Sequence, residues 1–296
     1  MKKRLLYSLA FLCLIIASCK KDANKNGNLD SKTFELVTLK SGAIVEKKGD
    51  KYIWQGDMVL SSAQLKNLDQ KGTIFGEVPK HLGPDTSIHP VYNIPMLSGS
   101  NNTAVPRAFG IYPTSYNMWA MVRFTYNANL PSWLKDEIKN ILLQYQASTN
   151  VRFYNATGQP TVDPTYGFAY PYIDFVYAGA ADVSDSYVGR QGGRQAINLA
   201  DFVQYQPSAI IHEIGHSIGL LHEQQRPDRD TYVNINTSNL TSSGQAQFQK
   251  ITNNYYTIGT YDYNSVMGYG SYTSSTSVVY DTNQPMYTKK DGSSIN

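Results

Sequence analysis

Three of the chain's five histidines fall within eleven positions, His212-Glu213-Ile214-Gly215-His216-Ser217-Ile218-Gly219-Leu220-Leu221-His222. His212 and His216 are four apart, so a helix would turn both imidazoles to one face. Two imidazoles so placed can hold one zinc ion. Gly219 can take a left-handed conformation, which ends the helix and turns the chain back. That return brings His222 towards the same metal. Three histidines leave a fourth position for water, the arrangement of a catalytic rather than a structural site. Glu213 adjoins the first ligand and can reach that water as general base. A lone histidine is usually a satisfied structural group. Here three histidines, a glutamate and a glycine fall at set spacings together.

Charge bears on the partners. The formal net charge is +3, but Lys2, Lys3 and Arg4 account for all of it. Past residue 107 there are 11 basic and 14 acidic residues. That balance excludes a nucleic-acid binder that works by neutralising phosphates. Residues 1–18 read as an export signal: a basic start, then twelve mostly apolar residues from Leu5 to Ile16, too few to span a bilayer. The signal ends Ile16-Ala17-Ser18-Cys19, which resembles a bacterial lipobox with Cys19 as the lipidated residue. An ordinary cleaved signal is the alternative. Both cysteines, Cys13 and Cys19, lie in this region, so no disulfide is expected in the folded part.

Residues 20–107 hold 11 Lys and one Arg, whereas 20 of the 23 tyrosines follow residue 107. This shift predicts a boundary near Arg107, behind the loop-like Ser98–Pro106. Strands are predicted at Met121–Tyr126, Val151–Tyr154, Tyr172–Tyr177 and Gln195–Leu199. Ser132 is expected to cap a helix carrying Leu134, Ile138, Ile141, Leu142 and Tyr145 on one face. Pro207 suits the first turn of a second helix, running to about Ile218. From Thr231 the chain reads as loops and turns. The expectation is an α+β chain of two lobes with a cleft between.

The segment His212–Asp230 reads HEIGHSIGLLHEQQRPDRD and continues into Tyr232-Val233-Asn234-Ile235. It closely resembles the extended zinc motif of the astacin family, one of the metzincins. Tyr261-Asp262-Tyr263-Asn264-Ser265-Val266-Met267-Gly268-Tyr269 resembles that family's methionine turn, with Gly268 where the family usually has histidine. Asn150–Phe153 and Tyr187–Gln195 are similar as well, so the resemblance covers roughly residues 108–290. It implies a metzincin fold: an N-terminal lobe with a twisted mixed sheet and two long helices, a loop-rich C-terminal lobe, and zinc in the cleft. It implies His212, His216 and His222 as zinc ligands and Glu213 as general base. Tyr269 would be a displaceable fifth ligand that stabilises the tetrahedral intermediate, and Met267 a hydrophobic floor under the metal. Glu223 would be structural, pairing with the ammonium of the mature N-terminus. A strand at Gln195–Leu199 would pair with extended substrate. The implied activity is a zinc endopeptidase acting on proteins or peptides, with one Zn2+ per catalytic domain, as a monomer. A catalytically silent surface protein binding through the same cleft is the alternative.

Trp54-Gln55-Gly56-Asp57-Met58-Val59-Leu60 resembles the family's pro-segment switch, in which an aspartate, here Asp57, coordinates the zinc. The expected organisation is a signal at 1–18, a linker and inhibitory pro-segment at 19–107, and a catalytic domain at 108–296. The family normally continues through a further C-terminal helix, so the chain is expected either to be a fragment or to manage without it. Maturation is expected near Arg107. The precursor would be exported and held at the outer membrane or cell surface only by the lipid on Cys19, and activation would release the catalytic domain.

Overall fold

Alternating and continuous apolar runs set the central strands. A computed structural model describes residues 34–75, 121–149, 151–181, 183–253, 257 and 259–295. The expected export signal, Cys19, Arg107 and the expected start at 108 lie outside the described residues. Four strands run parallel side by side: β5 (Met121–Tyr126), β6 (Arg152–Asn155), β7 (Tyr172–Gly179) and β9 (Arg194–Ala200). β7 buries Ile173, Asp174 and Phe175 in succession, as a strand covered on both faces does. The buried Asp174 is matched by Arg194 at 2.7 Å, Thr125 at 2.7 Å and Asn127 at 3.1 Å, so its burial carries no unpaired charge. A short antiparallel strand, β8 (Asp185–Tyr187), flanks β9.

Helix α2 (Ser132–Ser148) lays Leu134, Ile138, Ile141 and Leu142 against Phe124, Phe175, Ile197 and Leu199. Ile210 and Ile214 of α3 (Ser208–Ser217) complete this core. Ser132 does not cap α2. Pro131 holds the cap position in extended conformation with no side-chain bond, and Ser132 is the first helical residue. The fixed proline φ sets the chain direction there instead. Pro207 already has helical dihedrals, φ −63° and ψ −18°, and leads into α3 as expected.

Residues 34–75 extend the same sheet. The strands β1 (Glu35–Thr38), β2 (Ile44–Lys48), β3 (Lys51–Trp54) and β4 (Met58–Val59) form a meander. It is followed by α1 (Ser62–Lys71), whose Ser61 and Gln64 make a capping box. β4 pairs parallel with β8, giving nine strands in the order β1-β2-β3-β4-β8-β9-β7-β5-β6. The composition boundary at 107 is therefore not a boundary of the sheet.

The strand expected to pair with substrate is not an edge. Gln195–Leu199 lies within β9, which is hydrogen-bonded to β7 on one side and β8 on the other. It has no free edge for a substrate. The edge that the 121–295 part presents near the site is β8, and β4 sits on it.

After α3 the elements are short: β10 (Val233–Ile235) paired with β11 (Tyr287–Lys289), and α4 (Ser242–Gln247). Their core draws on tyrosines. Tyr261 and Tyr287 are buried with Leu240, Phe248 and Val279, and Tyr232, Tyr263 and Tyr269 pack against them. No helix among the described residues is long and apolar enough to cross a membrane. Leu134 is fully buried at the centre of the first core. Leu134→Ala should lower unfolding free energy by about 2–5 kcal/mol, read from urea denaturation of the whole chain.

Candidate metal centre

α3 carries His212 and His216 one turn apart on the face turned away from the sheet core. The helix ends at Ser217, and Gly219 at φ +109° reverses the chain. His222 then comes back beside the helix. Its Nε2 lies 3.2 Å from Nε2 of His212 and 3.1 Å from Nε2 of His216. The fourth member is Asp57, from the turn between β3 and β4. Its carboxylate lies 3.2 Å from His212 Nε2, 3.2 Å from His222 Nε2 and 3.5 Å from His216 Nε2. All four ligand atoms fall within 4.8 Å of one another.

These separations fit a tetrahedral zinc ion. Bonds of about 2.0–2.1 Å place tetrahedral ligand atoms about 3.3 Å apart. Hydrogen bonding among the imidazoles could not satisfy three nitrogens pointing at one spot. The second ring nitrogens support the same reading. His212 Nδ1 lies 2.7 Å from the Val266 carbonyl and His216 Nδ1 lies 2.9 Å from the Leu220 carbonyl. A carbonyl can only accept, so each of these Nδ1 atoms carries a proton, which leaves Nε2 as the atom that would bind a metal. His222 is almost completely buried.

Electrostatics follow from this crowding. Burial favours the neutral form of Asp57, yet the charge of His222 and hydrogen bonds from the three histidines hold its carboxyl well below the usual range. Burial opposes a charged His212, but the Asp57 carboxylate outweighs it and lifts that imidazole to about 9. His222 is pushed by burial down to about 4. Glu213 is buried beside the cluster, and one of its carboxylate oxygens, Oε2, has no hydrogen-bond partner. Burial, with the charge of Asp57 added, pushes its carboxyl well above the ordinary glutamate value.

The remaining residues singled out in the sequence fall around this point. Met267 is buried under the helix, and its sulfur fills the space that a side chain at position 215 would need. Tyr269 stacks at a tilt beside His222, with ring centroids 4.9 Å apart. Its hydroxyl donates to the Gln55 carbonyl at 2.9 Å. Glu223 accepts from the Asp262 amide at 2.9 Å and pairs with Arg226 at 3.1 Å. Its partner here is thus a guanidinium of its own segment, while the expected N-terminal partner lies outside the described residues.

A family model, that of the Astacin peptidase family, matches residues 112–294. The chain belongs to the astacin family. Zinc metalloproteinase nas-13 of Caenorhabditis elegans is 32% identical over 189 residues, 58% of this chain and 39% of that protein. Nematocyst expressed protein 6 of Nematostella vectensis is 39% identical over 105 residues, 34% of this chain and 36% of that protein. This chain therefore spans well under half the length of either relative. Among solved structures, high choriolytic enzyme 1, a hatching enzyme zinc-protease from Oryzias latipes, matches with a TM-score of 0.46 and 24% identity, covering 57% of this chain and 76% of that one.

Residues 34–75 are seated against the site by contacts to the far end of the chain. Gln55 is buried with φ +58°, a left-handed conformation unusual for a side chain of its type, and it donates to the Gln249 carbonyl. Gln249 in turn accepts from the Ile44 amide at 3.2 Å. Ser243 donates to the buried Glu46 at 2.5 Å. These partners are about 200 residues apart, and no local pattern marks them. The donor set predicts about one zinc per chain by elemental analysis. His216→Ala should remove most of it, and chelation of the wild-type chain should lower its melting temperature, because zinc stabilises the folded state that binds it.

Proposed function

We propose that this chain is the precursor of a zinc-dependent endopeptidase, held inactive by its own residues 34–75. The observation that carries the proposal is Asp57 standing at the fourth corner of a three-histidine cluster. Zinc bound there would polarise a scissile carbonyl and lower the pKa of water towards about 7. Glu213 would accept the proton of the attacking water and deliver it to the leaving amine. Its buried, raised carboxyl suits a group that must both take and give a proton. Tyr269 would donate its hydroxyl to the developing oxyanion once the Gln55 carbonyl has left it. Intact ligands and Glu213 weigh against a silent binder.

Inhibition on this reading is steric and chemical together. Asp57 fills the position that water and substrate need, and β4 covers the strand edge of β8. Gly56 lets the turn approach: it has φ +101°, and a Cβ there would lie 2.7 Å from the Tyr269 hydroxyl. Cleavage near Arg107 would free residues 34–75 to leave, and β8 would then take an extended protein or peptide substrate by strand addition. The new N-terminal ammonium would join Glu223. With the signal at 1–18 and a lipid on Cys19, the precursor would sit at the membrane and the cut would release residues 108–296 from it.

The test is a peptidase assay of the purified chain before and after brief trypsin treatment. Activity should require trypsin. Glu213→Ala should cost about 100- to 10,000-fold in kcat while keeping its zinc, and Tyr269→Phe about 100- to 1,000-fold. Asp57→Ala should raise the activity of the uncut precursor above its background, and Gly56→Ala should do so more weakly. An uncut Asp57→Ala chain as silent as wild type would remove Asp57 from its inhibitory role.

A further inference from the structure

We infer that Asp185 forms a subsite for a basic side chain of the substrate, a place that Lys51 occupies in the precursor. The inference rests on the endopeptidase reading above and adds to it a side-chain preference. Asp185 opens β8, the edge strand that β4 covers. Register puts Met58 opposite Ser186, so Asp185 stands level with Asp57, the residue held at the metal cluster. The Ser186 amide donates to the Asp57 carbonyl at 3.1 Å, which ties the two strands at that level. A peptide replacing β4 on this edge would therefore present a residue close to its scissile bond to Asp185.

The Asp185 carboxylate is largely buried, and its partners divide into two kinds. Asn198 on the neighbouring β9 donates to one oxygen. The other contact is Lys51, whose Nζ reaches both carboxylate oxygens, at 3.2 Å and 2.9 Å. Asn198 stays with the sheet. Lys51 belongs to β3 and leaves with residues 34–75. Among the described residues, Asp185 then keeps a neutral amide and loses its only cation. The vacated place is thus a recessed acidic spot on the strand edge that β4 covers. An unpaired carboxylate in such a place favours a cation. The lysine already seated there has the length and charge of the side chain it would select.

The test uses the full chain, cut with trypsin and then freed of it. Matched peptides place Lys, Gln or Glu in turn at each position flanking the cleaved bond. The readout is the ratio of kcat/KM for Lys to that for Gln, so a general loss of activity in a variant cancels. One position should favour Lys, and Arg likewise, by about tenfold or more. Asp185→Asn should bring that ratio towards unity, and Asp185→Lys should invert it in favour of Glu. No basic preference at any position, or the same ratio in Asp185→Asn, overturns the inference. Turnover of the Gln peptides reports separately on the endopeptidase reading. If no peptide is cleaved, calorimetry with the Lys and Gln peptides on the trypsin-cut, zinc-loaded Glu213→Ala chain decides the matter. Tighter binding of Lys that is lost with Asp185→Asn supports the subsite, and equal affinities overturn it.

Discussion

Four ligand atoms within 4.8 Å of one another impose most of what surrounds them. Two of the imidazoles have their second nitrogens anchored, His212 by the Val266 carbonyl at 2.7 Å and His216 by the Leu220 carbonyl at 2.9 Å. Those carbonyls come from the methionine turn and from the loop just after Gly219. The chain past residue 220 therefore has to fold back under α3 before the three histidines can converge. Met267 lies buried between these parts, and the Glu223 amide donates to its carbonyl at 2.9 Å. The centre is a joint between elements as much as a site for chemistry.

The same joint receives residues 34–75 as more sheet. Backbone pairing of β4 with β8 gives the contact its register, and side chains on both flanks give it specificity. On the sheet side are Lys51 with Asp185 and Gln64 with the Val188 carbonyl at 2.9 Å. On the other side are Gln249, Ser243 and Tyr269. Trp54, Met58 and Leu68 add an apolar cluster that takes in Val188 and Ile251. On the function proposed above, removal of residues 34–75 would uncover the β8 edge for another extended chain.

The second half of the chain is stabilised without cystine. Both cysteines precede residue 20. Tyrosines do the packing there: Tyr232 stacks on Tyr261 at 5.3 Å and 17°, and Phe248 meets Tyr287 edge to face at 5.2 Å. Burial pushes the Tyr261 phenol well above its ordinary value. Part of the tyrosine excess seen in composition is thus core, while Tyr154, Tyr166, Tyr205, Tyr272 and Tyr280 stay exposed.

Local spacing determined the parts of this protein that depend on neighbours in sequence. The α3 ligands follow from the helical repeat, the return at Gly219 from a left-handed backbone, and the buried face of α2 from its apolar period. Tertiary structure decided what depends on distant partners. β9 is interior and β8 is the edge because of strand order, which no single strand's sequence records. Asp185 pairs with Lys51 because a sheet built from both halves of the chain places those charges together. Spacing along a chain can fix which way a side chain points on its own element. Only packing between elements fixes what that side chain meets.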